Sequence, residues 1–315
     1  MVGLCSLLCC IFLQTTALND EDSLLVVFWN LENFFDWKKD TLAGNDSERE
    51  FTSRGARHWT REKFKRKCWA VAKSFLWLAD EEGRMPDVIG VAEVENRFVL
   101  ERLLRDTPLS RAGYAIVHYD SPDPRGIDVA LLYRKTSLTL LDSAPLRVGN
   151  NTRDILLACF RRNGGDTLAF LVNHHPSKYG GKSSGRRAVA LNRLKEATDS
   201  LIWAGTASVV AMGDFNDTPE STEEYSKTMI NLAAPLAGRG VGTIKYSGKW
   251  EMIDMFFISH SEAERNPGVT MKVARIPFLT VRDNAHSGEK PLRTYSGPRY
   301  SGGVSDHCPI ALMIQ

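Results

Sequence analysis

The chain has 315 residues, of which 43% are hydrophobic and 25% charged, and its 40 Lys and Arg nearly balance its 38 Asp and Glu. That balance excludes a protein-wide cationic field of the kind that clamps nucleic acid without specificity, so any polyanion would have to be held locally. The length suits one large α/β domain, and no linker, repeat or low-complexity block divides it.

The chain opens on an apolar run from Gly3 to Leu13, followed by Thr15, Thr16 and Ala17 and then by abruptly polar sequence. This pattern reads as a signal peptide over residues 1–17, cleaved after Ala17, although no cationic residue precedes the apolar run. Export is therefore expected, to the periplasm, the cell surface or the medium, with a single domain over residues 18–315. The run is too short to span a bilayer comfortably and no later segment is a candidate, so no integral membrane span is expected in the mature chain. Beyond the leader lie Cys68, Cys159 and Cys308. Their odd number and lack of metal-site spacing predict buried thiols and no disulfide framework.

Apolar or alternating runs predict strands at Leu24–Asn30, Asp87–Glu93, Tyr114–His118, Asp128–Tyr133, Ile155–Phe160, Leu168–His174, Ser208–Gly213, Glu251–Ser259 and Pro309–Ile314. Between the first two, Thr60 suits the N-cap of a helix that carries Phe64, Cys68, Val71, Phe75 and Leu78 on one face and stops at Gly83 and Pro86. Trp59, Trp69 and Trp77 around that helix are expected in the core. A second helix, from about Arg186 to Ala204, spaces Val189, Leu191, Leu194, Ala197 and Leu201 similarly. Alternating elements of this kind describe an α/β protein of layered sheets.

The polar residues that end the apolar runs carry the chemistry. "LLVVFWNLEN" ends in Asn30 and Glu32, "DVIGVAEVEN" in Glu93 and Glu95, "LAFLVNHHPS" in Asn173 and His174, and "SVVAMGDFND" in Asp214 and Asn216. "WEMIDMFFIS" contains Asp254, and Asp306 and His307 precede the last strand. Rigid strands aim such side chains from distant positions into one crevice. Carboxylates with amides, in place of a Cys/His set, favour a hard cation such as Mg2+ or Mn2+ that holds phosphate oxygens. "GGKSSGRR" lacks the glycine a phosphate-binding loop needs four residues earlier, so Lys178, Lys182, Arg186 and Arg187 read as a cationic loop beside His174.

Attack of water on phosphorus needs a metal, a group that places the water, donors for the phosphate oxygens and help for the leaving group. Glu93, alone or with Glu32, could hold the metal; Asp214 and Asn216 could orient and deprotonate water; Asn30, Asn216, His174 and His307 could donate to the phosphate. Asp254 is the candidate partner that would fix the His307 tautomer.

The ordered motifs "FWNLEN", "GVAEVEN", "RGIDVALLYR", "LVNHHPSK", "MGDFND", "MIDMFFIS" and "SDHCP" resemble the endonuclease/exonuclease/phosphatase superfamily, of which deoxyribonuclease one is a member. The resemblance runs from about Leu24 to Ile314 and suggests an exported member of bacterial type. It implies a four-layer α/β-β/α sandwich of two mostly antiparallel sheets flanked by helices, and divalent-metal hydrolysis of phosphate esters. Carried over by motif, Asn30, Glu93 and Asp306 look like metal-site residues, with Glu32 in a position that family members fill variously. His174, Asp214, Asn216, Asp254 and His307 look like the catalytic set, and Asn30 and Asn216 also touch phosphate.

Adjacent strand residues face opposite ways, so only one of His174 and His175 can enter the site, and the motif favours His174. Glu95 reads as helix-start chemistry with Asn96 as the N-cap, and Asp217 as a turn residue. His118 and His260 are expected in surface or packing roles. Arg125, Lys178 and Arg186 are candidate substrate contacts. Substrate class lives in loops, and the basic loop favours a nucleic-acid phosphodiester, DNA or RNA. The alternatives are a phosphatase or phosphodiesterase acting on lipid headgroups, inositol phosphates or sugar phosphates, and a non-catalytic phosphate-binding module. No obligate protein partner is evident.

Overall fold

The run LLVVFW is apolar at every position because both faces of its strand are buried. Val26 and Phe28 enter one core while Leu25, Val27 and Trp29 enter another. This period of two is what a central strand between two layers requires. The computed structural model describes residues 23–38, 49–163, 165–178 and 184–315. The expected signal peptide and Lys182 lie outside the described residues.

The chain builds β1 (Leu24–Phe34), β2 (Val88–Val94), β3 (Tyr114–His118) and β4 (Asp128–Arg134) into a first sheet. It then builds β5 (Leu138–Leu146), β6 (Ile155–Arg162), β7 (Thr167–His174), β8 (Ser208–Asp214), β9 (Ile230–Asn231) and β10 (Asp254–Ile258) into a second. Finally it returns to the first with β11 (Met271–Val273) and β12 (Ile310–Ile314). The sheet orders are β11-β12-β1-β2-β4-β3 and β5-β6-β7-β8-β10-β9. Only β1/β2 and β7/β8 are parallel neighbours. Each parallel pair is joined by a helical crossover: α1 (Arg61–Glu81) in the first sheet and α3 (Ser184–Trp203) in the second. A shorter helix, α2 (Arg97–Arg105), follows β2.

The four layers are α1 and α2, the first sheet, the second sheet, and α3. Phe64, Cys68, Val71, Phe75 and Leu78 of α1 pack on the outer face of the first sheet, as their spacing predicts. Thr60 caps α1 by accepting from Lys63 N at 3.4 Å, and Asn96 caps α2 by accepting from Val99 N at 3.1 Å. Trp59 is buried and Trp77 half-buried, but Trp69 is 54% exposed because it sits on the solvent side of α1. On α3 the buried stripe is Ala190, Leu194 and Thr198, and Val189 turns outward. The inner faces of the sheets approach closely where Gly90 meets Met212. A Cβ on Gly90 would lie 2.9 Å from Met212 Cε and 3.2 Å from Phe28.

The elements depart from those expected in three places. β5 escapes the pattern reading because it is an edge strand, half exposed, interrupted by a bulge between Leu140 and Asp142 and containing Pro145. The strand expected over 251–259 is broken at Met252–Ile253. Lys249–Glu251 folds back on Ile244–Tyr246 as a separate hairpin, and β10 begins at Asp254. Further hairpins pair Thr280–Arg282 with Glu289–Pro291 and Tyr295–Ser296 with Arg299–Tyr300. Cys68 and Cys308 are buried and Cys159 is half-buried, all as free thiols. Among the described residues, no helix is long and apolar enough to cross a membrane.

Candidate active site

β1, β2, β7 and β8 end on the same side of the sandwich, and there the backbone departs from regular strand. Register shifts at Asn30–Phe34 and Ala92–Val94 mark bulges at the ends of β1 and β2. Glu32, Asn33, Glu93 and Asn216 all adopt left-handed φ, at +47°, +52°, +60° and +50°. They are four of the six described non-glycine residues that do so. Such conformations cost about 1–3 kcal/mol each and persist where surrounding contacts hold them, which is the pattern of functional sites.

The C-terminal segment closes the site. His307 Nδ1 lies 2.8 Å from Asp254 Oδ2, and its Nε2 faces Asp214 Oδ2 and Asp306 Oδ1, each at 3.8 Å. Ser305 fixes the approach by accepting from His307 N at 3.0 Å and donating to Asn30 O at 2.6 Å. Trp29 Nε1 donates to His307 O at 2.9 Å. Burial disfavours a charged imidazole, yet Asp254 and Asp214 outweigh it and raise the His307 pKa well above the ordinary value. Asn30 Nδ2 donates to Asp214 Oδ2 at 3.0 Å, and Asn216 N donates to Asp214 Oδ1 at 2.9 Å. Burial pushes the Asp214 carboxyl up to about 7, with His307 opposing and Asp254 adding to the shift. The Asn216 amide is aimed by donation from Nδ2 to His175 O at 3.0 Å.

Glu93 accepts from Asn33 N at 2.8 Å and lies 3.4 Å from Arg125. Burial opposes its ionisation, but Arg125 and the Asn33 N–H prevail and hold the carboxyl below the usual range. Glu32 is engaged differently. Arg293 Nη2 and Nε reach its Oε1 at 2.7 Å, and Thr294 N donates to its Oε2 at 3.0 Å. The same Arg293 Nη2 lies 3.1 Å from Asp306 Oδ2, so one guanidinium joins the two acids. Burial and then Asp306 push the Glu32 carboxyl up to about 7. Beneath it, buried Lys67 donates to Glu32 O and to Thr294 Oγ1 at 2.7 Å.

His174 is the strand-end histidine that enters the site, with Nε2 at 3.5 Å from Asp214 and 3.8 Å from Glu93. Burial, then Arg153 and Arg125, lowers its pKa well below the ordinary value, so its imidazole is neutral. His175 points the other way and packs edge-on against Phe215, with ring centroids 4.8 Å apart. Arg153 is buried behind both and donates to His174 O at 3.1 Å, His175 O at 2.6 Å and Asp123 Oδ2 at 2.8 Å.

The substrate-contact candidates separate. Arg125 reaches the site, donating to Asn33 Oδ1 at 2.8 Å. Lys178 lies outside it, near Asp217 at 3.6 Å and Glu251 at 3.9 Å, and Arg186 is exposed on the first turn of α3. Asp217 is also paired with Arg187 at 2.8 Å, which makes it an anchor of the loop as well as a turn residue. His118 has the packing role, its side chain buried with Nε2 at 3.3 Å from Asp128. Sequence reasoning missed Arg153, Arg293, Lys67 and Ser305, whose motifs are no more than isolated cations and a hydroxyl.

The donor set fits a hard divalent cation. Glu93 and Asp214 both face His174, Asp214 and Asp306 both face His307, and Asn30 bonds Asp214, while burial and then Asp306 raise the Glu32 pKa and buried His174 Nδ1 and Asp254 Oδ1 have no hydrogen-bond partner. Among the described residues, Asp214, Asp254 and His307 also offer ligand atoms within 4.8 Å of one another, though the Asp254–His307 bond already uses two of them.

A four-layer sandwich with these strand-end residues defines a phosphoesterase fold, and comparison with known proteins gives the family. Residues 25–315 match the model of the endonuclease/exonuclease/phosphatase family, and the chain belongs to that family. Its members are phosphoester hydrolases that depend on divalent metal. No curated protein matches the sequence. Among solved structures, the human Nocturnin catalytic domain with bound sulfate is 17% identical, covering 93% of this chain and 94% of its own, with a TM-score of 0.58. TDP2 from D. rerio, complexed with a single strand DNA product, is 16% identical over 93% of this chain and 99% of its own, with a TM-score of 0.55. A mannosyl-6-phosphatase from Bacteroides thetaiotaomicron is 15% identical over 93% and 99%, with a TM-score of 0.55. These likenesses establish the fold.

Proposed function

We propose that this chain is an exported, divalent-metal-dependent hydrolase that cleaves phosphate esters by in-line attack of water, through one domain over residues 18–315. Mg2+ is the favoured cation, with Mn2+ as a substitute, and a nucleic-acid phosphodiester is the favoured substrate. The observation that carries the reading is the chain of contacts from Asp254 through His307 to Asp214 and Asn30, drawn from four separate elements.

Glu93, Asp306 and Asn30 would hold the cation, which would supply neutralisation of the phosphate charge and of the leaving oxygen. Asp214, its carboxyl raised towards neutrality by burial, takes the proton from the attacking water, since a base works best with a pKa near the working pH. Asn216 positions that water from its carbonyl oxygen, its NH2 being held by His175 O. His307 donates from Nε2 to a phosphate oxygen while Asp254 holds Nδ1 and fixes the tautomer. His174, neutral and adjacent to both Glu93 and Asp214, donates from Nε2 to the same phosphate. Glu32, with both oxygens engaged, holds the Arg293–Asp306 side of the site in place.

A second reading, hydrolysis of a small phosphomonoester such as a sugar phosphate, draws support from the basic loop. Lys178 and Arg187 face Asp217 and so offer little free charge to a polyanion.

The test is turnover by the purified mature chain against plasmid DNA, single-stranded DNA, RNA, inositol phosphates, sugar phosphates, sphingomyelin and bis(p-nitrophenyl) phosphate, with Mg2+ or Mn2+ and with EDTA. Metal-dependent cleavage of nucleic acid that disappears in His307→Ala is expected. Turnover of monoesters alone would replace the nuclease reading, and ligand binding without any turnover would replace both.

A further inference from the structure

Beside Asp306 a groove of about 450 Å3 runs between the hairpin Ile244–Glu251 and the hairpin Thr280–Pro291. Four cations line it, of which Lys245 and Lys290 pair with Asp283 and Arg293 pairs with Glu32 and Asp306, leaving Arg282 with no ion pair among the described residues. Tyr246, 69% exposed, also lines it. An exposed ring beside an unpaired guanidinium is a combination that single-stranded nucleic acid uses, a base stacking on the ring while a backbone phosphate meets the charge.

The groove is built and aimed. Ile244 forms a β-bridge with His307, and Cys308 N donates to Thr243 O at 2.7 Å, so the first hairpin hangs directly from the segment that carries His307. Its tip turns through left-handed Ser247 and Gly248, at φ +46° and +80°, which leaves Tyr246 on the rim. A Cβ on Gly248 would lie 2.7 Å from the His286 ring, so the tip is seated on the second hairpin's loop. Lys245 is tied to that loop by Asp283 at 3.3 Å and by Ser287 O, and Lys290 reaches the same Asp283 at 3.0 Å. Arg282 is exposed on the groove wall. A groove of this volume holds a nucleotide-sized unit, whereas a duplex presents grooves and backbones on a larger scale.

We propose that this groove holds the single-stranded nucleic acid flanking the scissile phosphate, with Tyr246 as the stacking platform and Arg282 as a backbone contact. The proposal rests on the nuclease reading of the adjacent site.

The experiment measures fluorescence anisotropy of a labelled oligothymidylate of about ten nucleotides, within the ~4–16 nucleotides that such grooves hold. Phosphorothioate linkages let the probe survive in Mg2+ with the full mature chain. Tyr246→Ala is expected to weaken binding about tenfold, the loss of one stacked base. Arg282→Ala is expected to weaken it and to lower the slope of log affinity against log salt by about 0.7, one phosphate contact. Both variants should hydrolyse bis(p-nitrophenyl) phosphate at the wild-type rate. Wild-type affinity in both variants, no binding by the wild type at low salt, or equal Tyr246 dependence for duplex DNA would each overturn the groove assignment. Failure of the phosphoesterase reading appears separately, as no hydrolysis of the small diester by the wild type, whatever the oligonucleotide does.

Discussion

His307 and Asp254 meet at 2.8 Å although a short helix, strand β11 and two hairpins separate them in the chain. The carboxylate orients the ring through Nδ1 and leaves Nε2 facing Asp214 and Asp306. Asp254→Asn preserves the shape but presents an amide, which permits the wrong tautomer. A fall in kcat of about 10²–10⁴-fold with little change in KM is expected. Steady-state kinetics on bis(p-nitrophenyl) phosphate check it, and an unchanged kcat would remove His307 from the chemistry.

Arg153 is buried and donates to two backbone carbonyls and to Asp123. Arg153→Met would leave Asp123 as an uncompensated buried charge and two carbonyls without donors. The expected loss of stability is about 3–5 kcal/mol, read from the urea midpoint. A loss below ~1 kcal/mol would mean that Asp123 and the carbonyls find water instead.

Burial, then Arg153 and Arg187, pushes the His175 imidazole down to about 3, against an ordinary 6.5. Below pH 6.5 the unfolded chain binds a proton that the folded chain refuses until about pH 3. The contribution to stability is therefore complete above 6.5 and is lost as pH falls, at about 1.4 kcal/mol per pH unit. His175→Phe keeps a ring against Phe215 and removes an Nε2 that has no hydrogen-bond partner. Between pH 6.5 and pH 5 the wild type should lose about 2 kcal/mol more than the variant. Parallel stability curves for the two proteins would refute this.

The close approach at Gly90 is testable as packing. Gly90→Ala places a methyl 2.9 Å from Met212 Cε and should cost about 1–3 kcal/mol by overfilling the space between the sheets. Chemical denaturation measures it, and because the terminal methyl of Met212 is flexible the lower half of that range is expected.

Strands that carry both faces inward were readable because they are continuous apolar runs with sharp polar ends. Asn30, Glu93, His174, Asp214, Asp254 and His307 were readable for the same reason, each standing where such a run stops or is about to start. β5 was not, since an edge strand with Pro145 and a bulge loses its alternation. Arg293 and Lys67 were not, because a buried cation looks in sequence like a surface one until its partners, here Glu32 and Thr294, are known in space. The basic loop misled for the converse reason: Lys178 and Arg187 read as free charge, but both face Asp217.

The first sheet closes late. β1 pairs with β12 from Leu24↔Ile314 to Phe28↔Ile310, so one edge of its central strand waits for sequence from the far end of the described chain. Synthesis proceeds from the N-terminus, and Asn30, Glu93, His174 and Asp214 emerge well before Asp306 and His307 do. A nascent polypeptide therefore carries an incomplete constellation, and pairings of such long sequence separation form slowly. Assembly order itself withholds the final imidazole, so the constellation is complete only late in folding.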